Sequence, residues 1–197
     1  MAKRQRVLGI DPGITRCGVG VIDGPGHRPH VVAAECLRTP SDRPLALRLR
    51  DLQDRLEALI GEHQPDVVAC ERVLFSNNVR TAMATGQAAG VALVAAARAG
   101  VEVAEYSPTD VKLTVAGHGG ADKHAVARMT AAQLRLDAPP TPADVADALA
   151  VALCHLGRQG SGVPAGRGAG DWSAVLDNPH VKIAGGTAPA SDPGARQ

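Results

Sequence analysis

Short apolar runs and longer stretches of helical period alternate over the first 157 residues, and each change of period marks an element. Residues 7–10 form an apolar run that ends at the turn signal Asp11-Pro12-Gly13. Residues 18–22 predict a second strand, Asp23-Gly24-Pro25-Gly26 a turn, and residues 31–37 a third strand. Three short strands separated by turns predict an antiparallel meander. The period then changes. Leu45, Leu49, Leu52, Leu56 and Leu59 recur at helical spacing, so a helix is expected over residues 44–63, capped by Ser41 and stopped by Pro65.

Residues 66–71 (DVVACE) are an apolar run of strand length whose far end carries an acid. Residues 79–98, rich in Ala and Gly, predict a closely packed helix, and residues 101–106 a further strand. Ser107-Pro108 is an N-cap followed by proline in the first turn, opening a short helix to residue 115. A glycine loop (GHGGADKHAV) leads to a helix over residues 122–134, and Thr141-Pro142 is expected to cap a last helix over residues 143–156. Three strands, helix, strand, helix, strand and then helices make a mixed five-stranded sheet with helices on its faces, an α/β fold.

After residue 157 the periodicity stops. Of the last 40 residues 19 are Gly, Pro or Ala, the composition of a flexible tail over residues 158–197, within which Trp172 stands alone. The expected folded domain is therefore residues 1–157. The chain of 197 residues is 45% hydrophobic but only 2% aromatic, with Phe75, Tyr106 and Trp172 as the whole stock. Its core must be built from aliphatic side chains.

A formal net charge of +1 says little about partners. Of the 21 basic residues only four are lysine, a bias that GC-rich coding explains as readily as phosphate recognition does. Cys17, Cys36, Cys70 and Cys154 show no CxxC spacing, and Cys36, Cys70 and Cys154 read as small buried residues. No apolar segment follows the basic MAKRQR start, and no run has the length of a membrane helix, so a reduced cytoplasm is the expected location.

The candidate chemistry lies in four acids. Asp11 ends the first strand, and Glu71 ends a buried strand directly after Val67, Val68 and Ala69. Asp144 and Asp147, three apart, share a face at the start of an otherwise Ala, Val and Leu helix. Each has an ordinary reading by itself. Asp-Pro-Gly is a common turn, a strand-end glutamate can be solvated, and acids near a helix start are favoured by free amides and the dipole. Strand ends and a helix start can nevertheless converge in an α/β fold, where unpaired carboxylates repel unless a cation joins them. Oxygen donors without Cys or His select magnesium or manganese over zinc. Two such ions about 4 Å apart suit hydrolysis of a phosphodiester.

Four segments taken in order, GIDPGITRCGVGVID, VVACERVLFSNNVRTAMATGQAAGVAL, SPTDVKLTVAGHGGADKHAV and PTPADVADALAVALCH, resemble the RuvC family of Holliday-junction resolvases over residues 6–157. The resemblance implies a ribonuclease-H-like fold and a crossover junction endodeoxyribonuclease. Asp11, Glu71, Asp144 and Asp147 then match the four metal-binding acids. A homodimer would cut two strands of like polarity across a four-way junction, leaving 5′-phosphate and 3′-hydroxyl ends. Its partners would be branch-migration and junction-binding proteins of the RuvA and RuvB type.

The resemblance also places Lys112 and Lys123 at DNA-contacting positions, where the free amides of a helix start beside an ammonium can hold a phosphate. The family usually has a base-stacking aromatic three residues after the glutamate. Leu74 stands there and Phe75 follows it, so either one is a candidate contact. Arg72 and Arg80 flank that loop as candidate phosphate binders, and solvation explains them equally. The helix over Val79–Arg98 is the expected dimer seam, with close packing inside one subunit as the alternative. His118 and His155 lack a ligand-type partner in sequence, and His155 reads as a boundary residue. Three other functions remain open at this point. An actin-like phosphotransferase would use DPGITRCG as a phosphate loop, a non-catalytic binder would hold branched DNA, and a related nuclease would act on RNA.

Overall fold

The structure is a computed structural model that describes residues 4–25, 27–73 and 79–160. Three antiparallel strands, β1 (Gln5–Asp11), β2 (Arg16–Gly24) and β3 (His30–Arg38), lead into helix α1 (Leu45–His63). Strand β4 (Val67–Glu71), helix α2 (Val79–Arg98) and strand β5 (Glu102–Tyr106) follow, then helices α3 (Pro108–Ala116), α4 (Lys123–Leu134) and α5 (Ala143–Gly160). The strands form one mixed sheet in the order β3-β2-β1-β4-β5, with β1, β4 and β5 parallel. The expected mixed five-stranded sheet is present.

Side chains alternate between the two faces of each strand, so the sheet feeds two cores. On one face Val7, Ile22, Val67, Ala69 and Tyr106 pack under α3, α4 and α5. On the other, Leu8, Ile10, Val19, Val21 and Val68 pack against Leu52 and Leu56 of α1 and the alanines of α2. Helices therefore cover both faces. Helix α5 is apolar nearly all round and buried from Ala148 to Leu156, the pattern of a central helix.

Small residues set how closely α5 lies on the sheet. A Cβ added at Gly9 would stand 2.9 Å from both Cβ and N of Ala152. One added at Gly18 would stand 2.5 Å from the carbonyl carbon of Asp144, and also against its carbonyl oxygen. The first turn of α5 thus rests on β2 backbone to backbone.

Several local expectations are corrected. Pro44, not Ser41, is the N-cap of α1, and no side chain caps that helix. Of the five leucines expected on its buried face, Leu52, Leu56 and Leu59 are buried while Leu45 is 42% exposed. The first turn instead buries Arg48, which donates to Thr39 Oγ1 at 2.9 Å and to Thr15 Oγ1 at 2.7 Å. Hydroxyls from the neighbouring loops make that arginine affordable in the interior.

His155 is not a boundary residue. It is 3% exposed, and its Nδ1 lies 2.8 Å from the Tyr106 hydroxyl. Cys36 is half-buried on β3, the edge strand of the sheet among the described residues, whereas Cys17 is buried on β2. Gln87 is exposed. At α3 the Ser107 capping box with Asp110 forms as the sequence predicts. Helix α5 runs to Gly160, past the expected domain end at residue 157, and the rest of the expected tail with Trp172 lies outside the described residues.

Candidate active site

Parallel pairing brings the first two acids together. Strands β1 and β4 are in register with Ile10 beside Cys70. The next residues, Asp11 and Glu71, therefore leave adjacent parallel strands at the same end. This is the carboxyl edge of the strands, where open α/β sheets commonly place their sites. The start of α5 arrives over the same edge with Asp147. Asp11, Glu71 and Asp147 line a pocket of about 270 Å³ whose other walls are Lys112, Lys123, Pro108, Val111, Val126, Ala150 and Val151. The lining thus combines three carboxylates with apolar Val111, Val126, Ala150 and Val151.

That charge acts on the acids themselves. Burial, then the charges of Glu71, Asp147 and Asp144, push the Asp11 carboxyl up from 3.8 to about 8. Glu71 is raised as well, first by burial and then by Asp147. Lys123 acts against both shifts. Its Nζ lies 3.3 Å from Asp147 Oδ2, and the ammonium is itself raised, chiefly by Asp147.

Asp144 is placed differently. Its side chain does not line the pocket but turns to Arg16 at the start of β2. Arg16 Nε lies 2.9 Å from Asp144 Oδ2, and Nη2 donates to the same oxygen. Among the described residues no three carboxylate, thiol or imidazole groups close a metal cage. With Asp144 on Arg16 and Asp147 on Lys123, two of the four acids are engaged by cationic side chains. The donor set still fits a hard divalent ion: carboxylate oxygens, half-buried, with mutual repulsion that a cation relieves. No thiol lines the pocket, and burial pushes Cys17 up to about 12 and Cys70 higher still.

The remaining expected site residues divide. Lys112 and Lys123 line the pocket. The amides expected to be free at the start of α4 are not all so, because the Asp122 side chain accepts from Ala125 N at 2.7 Å. Lys112 and Lys123 supply ammonium groups beside the amides that remain. Arg72 does not line the pocket; its backbone N donates to the Tyr106 carbonyl at 2.7 Å and ties the end of β4 to β5. Arg80 is exposed on the first turn of α2. Leu74 and Phe75 lie outside the described residues. Arg16 was missed by sequence reasoning, since nothing in ITRCG distinguishes it from other exposed arginines.

A model of the family described as crossover junction endodeoxyribonuclease RuvC matches residues 7–155. The chain belongs to the RuvC family. The RuvC of Salinispora arenicola is 54% identical over 158 residues, covering 80% of this chain and 90% of its own length. That of Streptomyces avermitilis is 51% identical over 155 residues, covering 78% and 88%. Thermus thermophilus RuvC in complex with a Holliday junction substrate superposes with a TM-score of 0.77 at 38% identity, covering 81% of this chain and 97% of that one. The yeast mitochondrial Holliday junction resolvase Ydc2, at a TM-score of 0.57 and 15% identity, shares the fold. The expected ribonuclease-H-like fold and the expected family both hold.

Proposed function

We propose that this RuvC-family chain resolves four-way DNA junctions by metal-dependent hydrolysis of one phosphodiester in each of two strands, leaving 5′-phosphate and 3′-hydroxyl ends. The family membership supports the reaction class. The observation that carries the chemistry is the crowding of Asp11, Glu71 and Asp147 in one pocket, with Asp11 raised to about 8 by burial and by its neighbours. Such a site favours a divalent cation over protons once the pH allows it. Asp11, Glu71, Asp144 and Asp147 would hold Mg2+ or Mn2+, two ions per site. When bound, these ions supply the charge that activates water and stabilises the leaving oxygen.

The chain's own residues do the rest. Lys112 and Lys123, on separate helices at the pocket wall, place positive charge where a backbone phosphate would sit. The apolar wall of Val111, Val126 and Val151 excludes water from one side and strengthens those electrostatic interactions. Arg72 and Arg80 would contact the flanking backbone, and Leu74 or Phe75 the bases at the junction centre.

The enzyme would act as a homodimer through α2. The outward face of that helix carries Val79, Met83 and Val94, respectively 68%, 63% and 49% exposed. Gly86 and Gly90 there have nothing within 4 Å that an added Cβ would meet. A second copy would bury this face and set two active sites for paired cuts. RuvA- and RuvB-type proteins are the expected partners and the cytoplasm the expected location. Among the described residues no helix is long and apolar enough to cross a membrane.

The test is cleavage of a labelled synthetic four-way junction beside a linear duplex of the same arms, with Mg2+, with Mn2+ and with neither. Symmetric nicks on the junction alone, dependent on metal and lost in Asp11→Asn and Glu71→Gln, are expected. Tight junction binding without cuts would mean a non-catalytic binder. Equal cutting of both substrates would overturn the junction selectivity.

A further inference from the structure

Asp144 is the acid whose carboxylate the fold has already given a partner. Two nitrogens of Arg16 converge on one oxygen, Oδ2, with Nε at 2.9 Å, which leaves Oδ1 without a share in the pair. Both residues stand on rigid ground. Arg16 opens β2, and the backbone of Asp144 rests on Gly18 two residues further along the same strand. The pair is therefore preset by strand and helix rather than by a chance meeting of long side chains. The Arg16 side chain is 44% exposed against 20% for Asp144, so the guanidinium sits at the rim with solvent on its outer side. Its cross-strand neighbour is Arg38, exposed on β3, so the rim beyond Asp144 carries two arginines. Lys112 and Lys123 line the pocket with Asp11, Glu71 and Asp147.

A guanidinium keeps its charge at every relevant pH, so it competes with a metal as a permanent cation. If Asp144 serves as a metal ligand, as the proposed function holds, the ion and the guanidinium contend for one carboxylate. We propose that Arg16 is a positioning residue that shares Asp144 with the divalent ion and, when displaced from it, binds a backbone phosphate on the β2–β3 side of the cleft. The arginine then weakens metal binding to the protein alone and couples the loading of Asp144 to the capture of DNA. A planar fork of donors released beside an anionic backbone is well suited to that exchange.

The experiment has two readouts, both on the full chain and neither requiring cleavage. Mn2+ binding is measured by titration for the wild type, Arg16→Gln, Asp144→Asn and the double variant, after thermal unfolding shows that each folds. Removing one exposed ion-pair partner predicts about five-fold tighter Mn2+ binding in Arg16→Gln. It predicts weaker binding in Asp144→Asn and no further effect of Arg16→Gln in that background. Weaker or unchanged binding in Arg16→Gln, beside a clear loss in Asp144→Asn, would overturn the competition. Unchanged binding in Asp144→Asn would instead overturn Asp144 as a ligand.

The second readout is the salt dependence of four-way junction binding in EDTA. Asp144→Asn frees the guanidinium, so binding is expected to tighten and to steepen by about one phosphate in the salt slope. Both gains are expected to vanish in the double variant. If the double variant keeps them, loss of negative charge alone explains the effect and the phosphate contact is refuted.

Discussion

Replacing Gly18 with alanine adds one methyl group where β2 meets the backbone of α5. That methyl carbon would lie 2.5 Å from the carbonyl carbon of Asp144 and 3.3 Å from the Ala148 Cβ. Carbon atoms in good contact sit at about 3.5 Å or more, so the first turn of α5 must move by roughly 1 Å. The obstacle is backbone, which cannot turn aside as a side chain does. Overpacking of this kind costs about 1–3 kcal/mol, which for a domain of this size lowers Tm by roughly 3–10 °C. The larger effect is expected in catalysis. Asp144 and Asp147, proposed above to hold the metal, ride on the displaced turn, and a 1 Å misplacement of such groups can cost about 100-fold in rate.

The assays are thermal unfolding and metal-dependent cleavage of a labelled four-way junction. Two variants calibrate the result. Gly20→Ala meets Cδ2 and Cγ of Leu149 at 2.6 and 2.7 Å but its backbone N only at 3.2 Å, so the clash falls mainly on a side chain and a smaller loss is expected. Gly61→Ala in α1 meets nothing within 4 Å and should stabilise by about 0.5–1 kcal/mol through helix propensity. A Gly18→Ala protein with wild-type Tm and wild-type cleavage would refute the placement of α5 on β2.

Asp11 makes the metal-free protein sensitive to alkali. Its carboxyl is raised from 3.8 to about 8, so its contribution is fully present below about 3.8 and is lost as pH rises through about 8. In EDTA at pH 9, Asp11→Asn should therefore melt above the wild type, the gap should close toward pH 4, and Mn2+ should reverse the order; a flat wild-type stability profile would contradict this. Asp23, at the opposite end of β2, is lowered to about 2, first by Arg4 and then by Arg6. Its contribution is present above the ordinary carboxylate range and is lost as pH falls through about 2, so Asp23→Asn should flatten the acid limb of a stability profile measured by circular dichroism. Lys123→Met should weaken binding to junction and duplex alike and lower the salt slope by about one, because the contact is to phosphate rather than base; an unchanged slope would confine Lys123 to its pair with Asp147.

Much of the fold was legible because the residues that form it carry local signals. The apolar runs of β1 and β4, the Ser107-Pro108 start of α3 and the largely apolar α5 declare themselves in period and capping. The four acids stood out for the same reason, as charges at the ends of apolar segments. Where the reading erred, a tertiary partner overrode the local pattern. Arg48 is buried because Thr15 and Thr39 reach it from other elements. His155 is buried because β5 brings the Tyr106 hydroxyl to it.

What the sequence determined by itself was the order of elements, the two-faced α/β plan and which acids are candidates for the chemistry, since period and residue type are local properties. Only the tertiary structure decided that Asp11 and Glu71 stand side by side, because that depends on the parallel register of β1 with β4 across 60 residues of chain. It alone decided that Asp144 faces Arg16 while Asp147 faces Lys123. Pairings between charges 128 and 24 residues apart follow from where β2, α4 and α5 meet, and no local pattern encodes that meeting.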